Sequence, residues 1–254
     1  MKIGVVGYGR MGRMIRNVAQ ETGHEVVAII DPVSSAPEVS GVELTVDSLG
    51  GCDAVIDFSV PSCAVDHMLF YARTGIPAVI GTTGWYDRLE EVVSSLKDYP
   101  ECSIVWSGNF SIGVHLFFEV VKYASGLFAW FDDYDVLVHE IHHAGKADSP
   151  SGTAKMIGDI LLERMTGKTS LETARLDRRR ESSEIHVSSS RGGYFPGVHE
   201  VYFDSPVDTV CISHSARSRE GFARGAVRAA AWVSDGRKGF FSLDDMMADL
   251  LPSV

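Results

Sequence analysis

The stretch KIGVVGYGRMGRMIRNVAQETG (Lys2–Gly23) decides the first half of the fold. Its opening is short, apolar and β-branched, which reads as a buried strand. Gly7, Gly9 and Gly12 follow in GxGxxG spacing, and a helical pattern then runs on to Gly23. In such a turn the first glycine permits the tight bend. The second lets the backbone approach a pyrophosphate, and the third lets helix and strand pack closely. The helix start adds free N–H groups and the positive end of its dipole. HEVVAIID (His24–Asp31) is a second apolar strand. It ends at Asp31, near the distance where an acidic side chain accepts from a ribose hydroxyl. The turn therefore points to a nicotinamide dinucleotide. Asp31 repels a 2′-phosphate, and Pro32 follows where an arginine would help. Arg10 lies in the loop itself and can neutralise a phosphate. We expect NADH to serve at least as well as NADPH.

Strand and helix signals keep alternating through DAVIDFS (Asp53–Ser59), PSCAVDHMLFYARTG (Pro61–Gly75), PAVIGTTG (Pro77–Gly84), YDRLEEVVSSLKDY (Tyr86–Tyr99) and CSIVWSGNFS (Cys102–Ser111). This rhythm predicts a parallel sheet with helices on both faces. Ligands of such sheets gather at the carboxyl ends of the strands. Gly81 and Thr83 are then expected to border the nicotinamide, with Ser107, Asn109 and Phe110 ending the fifth strand in the same way.

After Ser111 the pattern changes. IGVHLFFEVVKYASGLF (Ile112–Phe128) reads as one long apolar helix, DYDVLVHEI (Asp133–Ile141) as a strand, and SGTAKMIGDILLERMTG (Ser151–Gly167) as a helix. A polar connection leads to three strand-like runs, EIHVSSSRGG (Glu184–Gly193), VHEVYFDSP (Val198–Pro206) and DTVCISHSA (Asp208–Ala216). They predict a mixed or antiparallel sheet in a second domain. GFARGAVRAAAWVSDG (Gly221–Gly236) is helical again and is expected to return to the first domain.

A net charge of −11 argues against nucleic acid as a partner, since such binders carry a basic patch. No apolar run approaches the roughly 20 residues that span a bilayer. The chain opens directly into a strand, without the pattern of a signal peptide. Cys52, Cys63, Cys102 and Cys211 form no CxxC pair and suggest no disulfide framework. We expect reduced thiols and a cytoplasmic protein.

His139-Glu140-Ile141-His142-His143 fits HExxH, which on a helix places two histidines on one zinc ion. The preceding Val136, Leu137 and Val138 favour a strand instead. On a strand, positions i and i+4 stand about 13 Å apart, at ~3.3 Å per residue. No metal is expected. The other reading is an organic-acid site. His142 and His143 sit where strand gives way to loop, and Lys146 and Asp148 follow. SPSGT then opens a helix, whose N–H groups and the hydroxyls of Ser151 and Thr153 form a carboxylate cradle. Lysine supplies charge and histidine a proton. The competing readings are an NAD(H) sensor, a different Rossmann reductase such as an amino-acid or semialdehyde dehydrogenase, and a zinc hydrolase; a semialdehyde dehydrogenase would need a catalytic cysteine, and none of the four lies in a convincing site. A sensor would not need the histidine–lysine cluster.

In order along the chain, VVGYGRMG (Val5–Gly12), DAVIDFS, GTTG, GNFSIGV (Gly108–Val114), EIHHAGKADSPSGTA (Glu140–Ala154), RGGYFPGVHEVYF (Arg191–Phe203) and HSARSREGFARGAVRAAAWV (His214–Val233) resemble the motifs of the 4-hydroxy-tetrahydrodipicolinate reductase family, formerly dihydrodipicolinate reductase. The resemblance covers nearly the whole chain, and HHxxKxDxPSGTA is its most specific part. It implies an α/β protein: an N-terminal Rossmann dinucleotide-binding domain over residues 1–111 and 218–254, and an α+β domain with a mixed sheet over 112–217 for substrate binding and tetramerisation. It also implies hydride transfer from NADH or NADPH to a small cyclic dicarboxylate in diaminopimelate and lysine biosynthesis, by a homotetramer. Carried onto matching positions, His142 is the general acid and Lys146 its partner. His143, Ser151, Gly152 and Thr153 bind substrate. Gly7, Arg10, Met11, Asp31, Gly81, Thr83 and Phe110 fall where the family contacts cofactor. Ser149 stands where the family usually has alanine.

Overall fold

The computed structural model describes residues 1–251 of the chain. It divides into two compact units, Met1–Ile112 with Glu220–Val254, and Gly113–Arg219.

The first unit begins with β1 (Lys2–Val6), α1 (Arg10–Glu21), β2 (Glu25–Ile30), β3 (Ala54–Asp57), α2 (Pro61–Thr74), β4 (Ala78–Ile80), α3 (Leu89–Leu96) and β5 (Ser103–Trp106). All these strands pair in parallel, as the alternation of strand and helix predicts. Their residues are almost continuously apolar because both faces of the sheet are covered. Ile3, Val5, Ile56, Val79 and Val105 pack with residues of α1 in one core cluster. Val55, Ala78, Ile80 and Ile104 pack with Met68 and Tyr71 of α2 in another.

The second unit contains α4 (Ile112–Phe128), which starts at the unit boundary, then β6 (Asp135–His142), α5 (Gly152–Arg164), β7 (Ser170–Glu172), β8 (Glu184–Arg191), β9 (Val198–Asp204) and β10 (Thr209–Ser215). The five strands run in the order β10-β9-β6-β8-β7. β6 pairs parallel with β8 and antiparallel with β9, so the sheet is mixed. α4 and α5 cover one face, where Phe117, Phe118, Ile157 and Leu161 meet Val136, Val138, Ile185, Val187, Val201 and Phe203. β7 arises within the polar connection that reads as loop from sequence; Leu171 supplies its apolar contact to this cluster.

The chain then returns to the first unit with α6 (Glu220–Val233), β11 (Gly239–Ser242) and α7 (Leu243–Leu250). α6 is rich in alanine and glycine because it packs very close. A Cβ at Gly225 would strike the backbone oxygen of Phe110. β11 pairs parallel with β5 and completes a six-stranded sheet in the order β11-β5-β4-β3-β1-β2. The four-residue GFFS strand and the short α7 carry too little periodicity to stand out in the sequence.

Candidate active site

In the first unit, the glycine turn is built as its spacing predicts. Gly7 has φ +84°, and a Cβ there would meet the backbone of Phe58 at 2.4 Å. A Cβ at Gly12 would lie 2.1 Å from the Gly7 oxygen. Gly9, by contrast, has nothing within 4 Å of its Cβ position. It caps α1 without a side-chain hydrogen bond. Two glycines therefore close the turn and the third leaves the helix N-terminus open, which fits a pyrophosphate held on backbone N–H groups.

Asp31 lies just past β2. Its Oδ2 accepts from Tyr8 N at 2.6 Å, and its Oδ1 accepts from Val33 N and Ser34 N at 2.8 and 2.7 Å. Partial burial raises its pKa, but these N–H groups and the charge of Arg13 outweigh that and hold it below the usual carboxylate range. It is an ionised acceptor beside the turn. Arg10 is exposed, and Met11 is half-buried. Arg13 lies over the Tyr8 ring at 5.0 Å.

Gly81 follows β4, and the Phe58 ring fills the space that a side chain would need. Thr83 is exposed beside it. Ser107 accepts from Asn109 N at 3.0 Å, and Asn109 accepts from Ser111 N at 2.9 Å, which fixes the turn after β5. Phe110 is a core residue, 1% exposed, with its ring 6.1 Å from that of Phe58. Any ligand contact by Phe110 would fall to its backbone.

In the second unit, β6 answers the HExxH question. Its burial alternates, with Val136, Val138, Glu140 and His142 on the covered face. His139 points to the other face, where its Nδ1 is 2.8 Å from Ser188 Oγ. The pattern is a strand pattern, and a zinc helix is ruled out.

At the end of β6, Glu140 is fully buried. Its Oε1 accepts from Ser151 N (2.9 Å), Ser189 Oγ (2.8 Å) and Arg191 Nη2 (2.7 Å), and its Oε2 accepts from Ser151 Oγ. Burial pushes its pKa up, but the hydrogen bonds from His199, Ser151 and Arg191 win and hold it far below the carboxylate range. Glu140, His142 and His199 bring groups of metal-ligand type within 4.8 Å of one another. Both oxygens already accept hydrogen bonds, one of them from a guanidinium, so the cluster is a paired anion rather than a cation site.

His142 is 7% exposed. Its Nδ1 is 3.3 Å from Glu140 Oε2 but out of line for a hydrogen bond. Its Nε2 faces Gly197, where a Cβ would lie 3.0 Å away. Burial lowers its pKa to about 4; Glu140 pulls it up, while His199, Lys146 and Arg191 push it down. Lys146 pairs with Asp148 at 2.8 Å. His143 is half-buried, and its backbone N donates to Phe195 O at 2.9 Å.

Ser151 caps α5, accepting from Ala154 N at 3.2 Å. It is buried and spends both its N–H and O–H on Glu140. Its hydroxyl is thus turned inward, away from the carboxylate cradle expected from sequence. Gly152 has no neighbour within 4 Å of its Cβ position. Gly152 and Thr153 head the helix, where N–H groups lack intrahelical partners.

Sequence reasoning missed Glu140, Arg191, His199 and Gly197. The signal for Glu140 was present: an acid at an alternate position of a strand whose other alternate residues are valines.

The comparisons with known proteins show the family. Residues 1–110 match the family described as dihydrodipicolinate reductase, N-terminus, and residues 113–247 match its C-terminus. The chain belongs to the 4-hydroxy-tetrahydrodipicolinate reductase family. A 4-hydroxy-tetrahydrodipicolinate reductase of Christiangramia forsetii is 36% identical over 250 residues, 98% of this chain and 99% of that one. One of Acinetobacter baumannii is 34% identical over 267 aligned residues, covering 97% and 96%. The fold is also that of a dipicolinate-bound dihydrodipicolinate reductase from Paenisporosarcina sp. TG-14, with TM-score 0.76, 21% identity and coverage of 95% and 97%. The activity is reduction of 4-hydroxy-tetrahydrodipicolinate in lysine and diaminopimelate biosynthesis. The first unit is the family's dinucleotide-binding domain, for NAD(P)H. Among the described residues no helix is long and apolar enough to cross a membrane.

Proposed function

We propose that His142 protonates the substrate ring, assisted by Lys146, while Gly152 and Thr153 hold one of its carboxylates. The observation that carries this is that His142 ends β6, the N-cap of α5 is hydrogen-bonded to Glu140 at that strand end, and the charge of Lys146 acts on the His142 ring. The dinucleotide supplies a hydride, the ring gains a proton with it, and the 4-hydroxyl leaves as water, so the product carries two hydrogens more and one water less than the substrate. His142 stands where it can give the proton. With a pKa of about 4 it is neutral in the free protein at neutral pH. A substrate dianion beside it favours the imidazolium, so the site acquires its proton together with its substrate. Lys146 exchanges Asp148 for a substrate carboxylate and adds a point charge. His143 lines the same strand end. Fixing both carboxylates orients the ring, and orientation alone removes much of a barrier.

Gly7, Gly9 and Gly12, with Asp31, Gly81, Thr83, Ser107 and Asn109, frame the dinucleotide. The ionised Asp31 supports NADH being used at least as well as NADPH. The dipicolinate named for the Paenisporosarcina structure is a cyclic dicarboxylate and supports that substrate class. A homotetramer is supported by the sheet face away from α4 and α5, where Leu137, Tyr202 and Cys211 stand abreast and Leu137 is 41% exposed. The four unpaired cysteines suit a reducing cytoplasm.

The test is oxidation of NADH and of NADPH by purified protein, with substrate made in situ from pyruvate and aspartate semialdehyde by the preceding synthase. Oxidation that requires the synthase, at a rate with NADH equal to or above that with NADPH, is expected. The reverse ratio would remove the role given to Asp31.

A further inference from the structure

We propose that Glu140 is the positioning residue for His142: its buried carboxylate binds α5, β8 and the histidine into one unit and fixes which ring nitrogen carries the proton to substrate. This rests on the reading of His142 as the acid. Glu140 and His142 are two residues apart on β6 and so share its covered face. The carboxylate accepts from the N-cap of α5 through Ser151, and from β8 through Ser189 and Arg191. The first turn of α5, which offers N–H groups to a carboxylate, and the ring that offers a proton therefore share one anchor. A shift of either is felt by the other through a single side chain.

The ring's orientation follows from charge. Glu140 Oε2 stands 3.3 Å from Nδ1 of His142. The two are out of line for a hydrogen bond, yet a carboxylate that close still favours a positive hydrogen on Nδ1 over a bare lone pair there. Nδ1 therefore keeps its hydrogen, and Nε2 is the atom that takes and releases the catalytic proton. Nε2 faces the backbone of Gly197, where the missing side chain leaves space that a Cβ 3.0 Å away would fill. The other charged or titratable groups facing the ring are His199 on β9, Lys146 in the loop and Arg191 on β8. Of these, His199, Lys146 and Arg191 oppose a positive ring; only Glu140 favours it.

The experiment compares Glu140→Gln, Glu140→Asp and His142→Asn with the unaltered enzyme. The readouts are kcat against pH in the synthase-coupled assay and NADH affinity by fluorescence. Glu140→Gln should lower kcat at least tenfold and move the alkaline limb of its pH profile down by about one unit, with NADH affinity within about twofold. Glu140→Asp should restore the limb's position in part, because it restores the charge. An unmoved limb in Glu140→Gln, with His142→Asn strongly impaired, overturns the role of Glu140 and leaves the acid in place. Full turnover in His142→Asn overturns both. Should Glu140→Gln fail to fold, nitrogen NMR of the unaltered protein decides: a neutral His142 ring with its hydrogen on Nδ1 is expected, and hydrogen on Nε2 refutes the proposal.

Discussion

Gly12 packs so closely on Gly7 that a Cβ there would lie 2.1 Å from the Gly7 carbonyl oxygen. Gly9, midway between them, faces open space. The three glycines therefore predict different variants. Gly12→Ala should destabilise the first unit by about 1–3 kcal/mol, the usual range for overpacking, and weaken NADH binding with it. Gly9→Ala should melt like the unaltered protein yet bind NADH at least about tenfold more weakly, because its methyl group stands where the pyrophosphate must approach. Thermal melts paired with NADH titrations check this. A Gly9→Ala protein that binds normally would place the pyrophosphate elsewhere.

Asp31 spends its carboxylate on Tyr8 N, Val33 N and Ser34 N, so its charge is held in place beside the turn. Asp31→Asn keeps one side-chain oxygen for Val33 N and Ser34 N, gives up the acceptor of Tyr8 N, and removes the charge. The ratio of kcat/KM for NADPH to that for NADH should rise about tenfold, equivalent to ~1.4 kcal/mol. Steady-state kinetics with both cofactors measure it. An unchanged ratio would show that Asp31 does not face the 2′ position.

The parallel sheet was legible because its strands are short apolar runs separated by helices with clear apolar faces. β11 and α7 were not, since GFFS owes its strand to pairing with β5, more than a hundred residues away in the chain. In the second unit, alternation on β6 and the SPSGT helix start placed His142 and the α5 N-terminus correctly. What the sequence hid was direction. Ser151 looked like a ligand because hydroxyls at helix starts bind anions, and only tertiary structure supplies Glu140, which claims both its polar groups. Arg191 and His199 sit on other strands, and no local spacing links them to Glu140.

His142 belongs to the second unit and the glycine turn to the first, so its removal should separate turnover from cofactor binding. His142→Ala should lower kcat by about 10²–10⁴, the range for losing a general acid, and leave NADH affinity within about twofold. The coupled assay and a fluorescence titration measure the two. Equal losses in both would end the assignment of His142 as acid.

The buried histidine also makes stability depend on pH. Its pKa is about 4 in the folded protein against an ordinary 6.5, because burial disfavours the imidazolium. Between those values the unfolded chain takes up a proton that the folded one refuses. The stability this group contributes is therefore fully present above pH 6.5 and lost as pH falls toward 4, a loss on the order of 3 kcal/mol. Glu140, whose pKa is depressed, adds a further loss only below the ordinary carboxylate value of 4.5. His214, lowered chiefly by burial, acts in the same direction as His142. Urea unfolding between about pH 7.5 and 4.5 should show the midpoint falling, and His142→Asn should flatten that fall because the titrating ring is gone. Equal slopes in the two proteins would mean that His142 takes up its proton at the same pH in the fold as in the unfolded chain, so that burial does not hold the ring neutral.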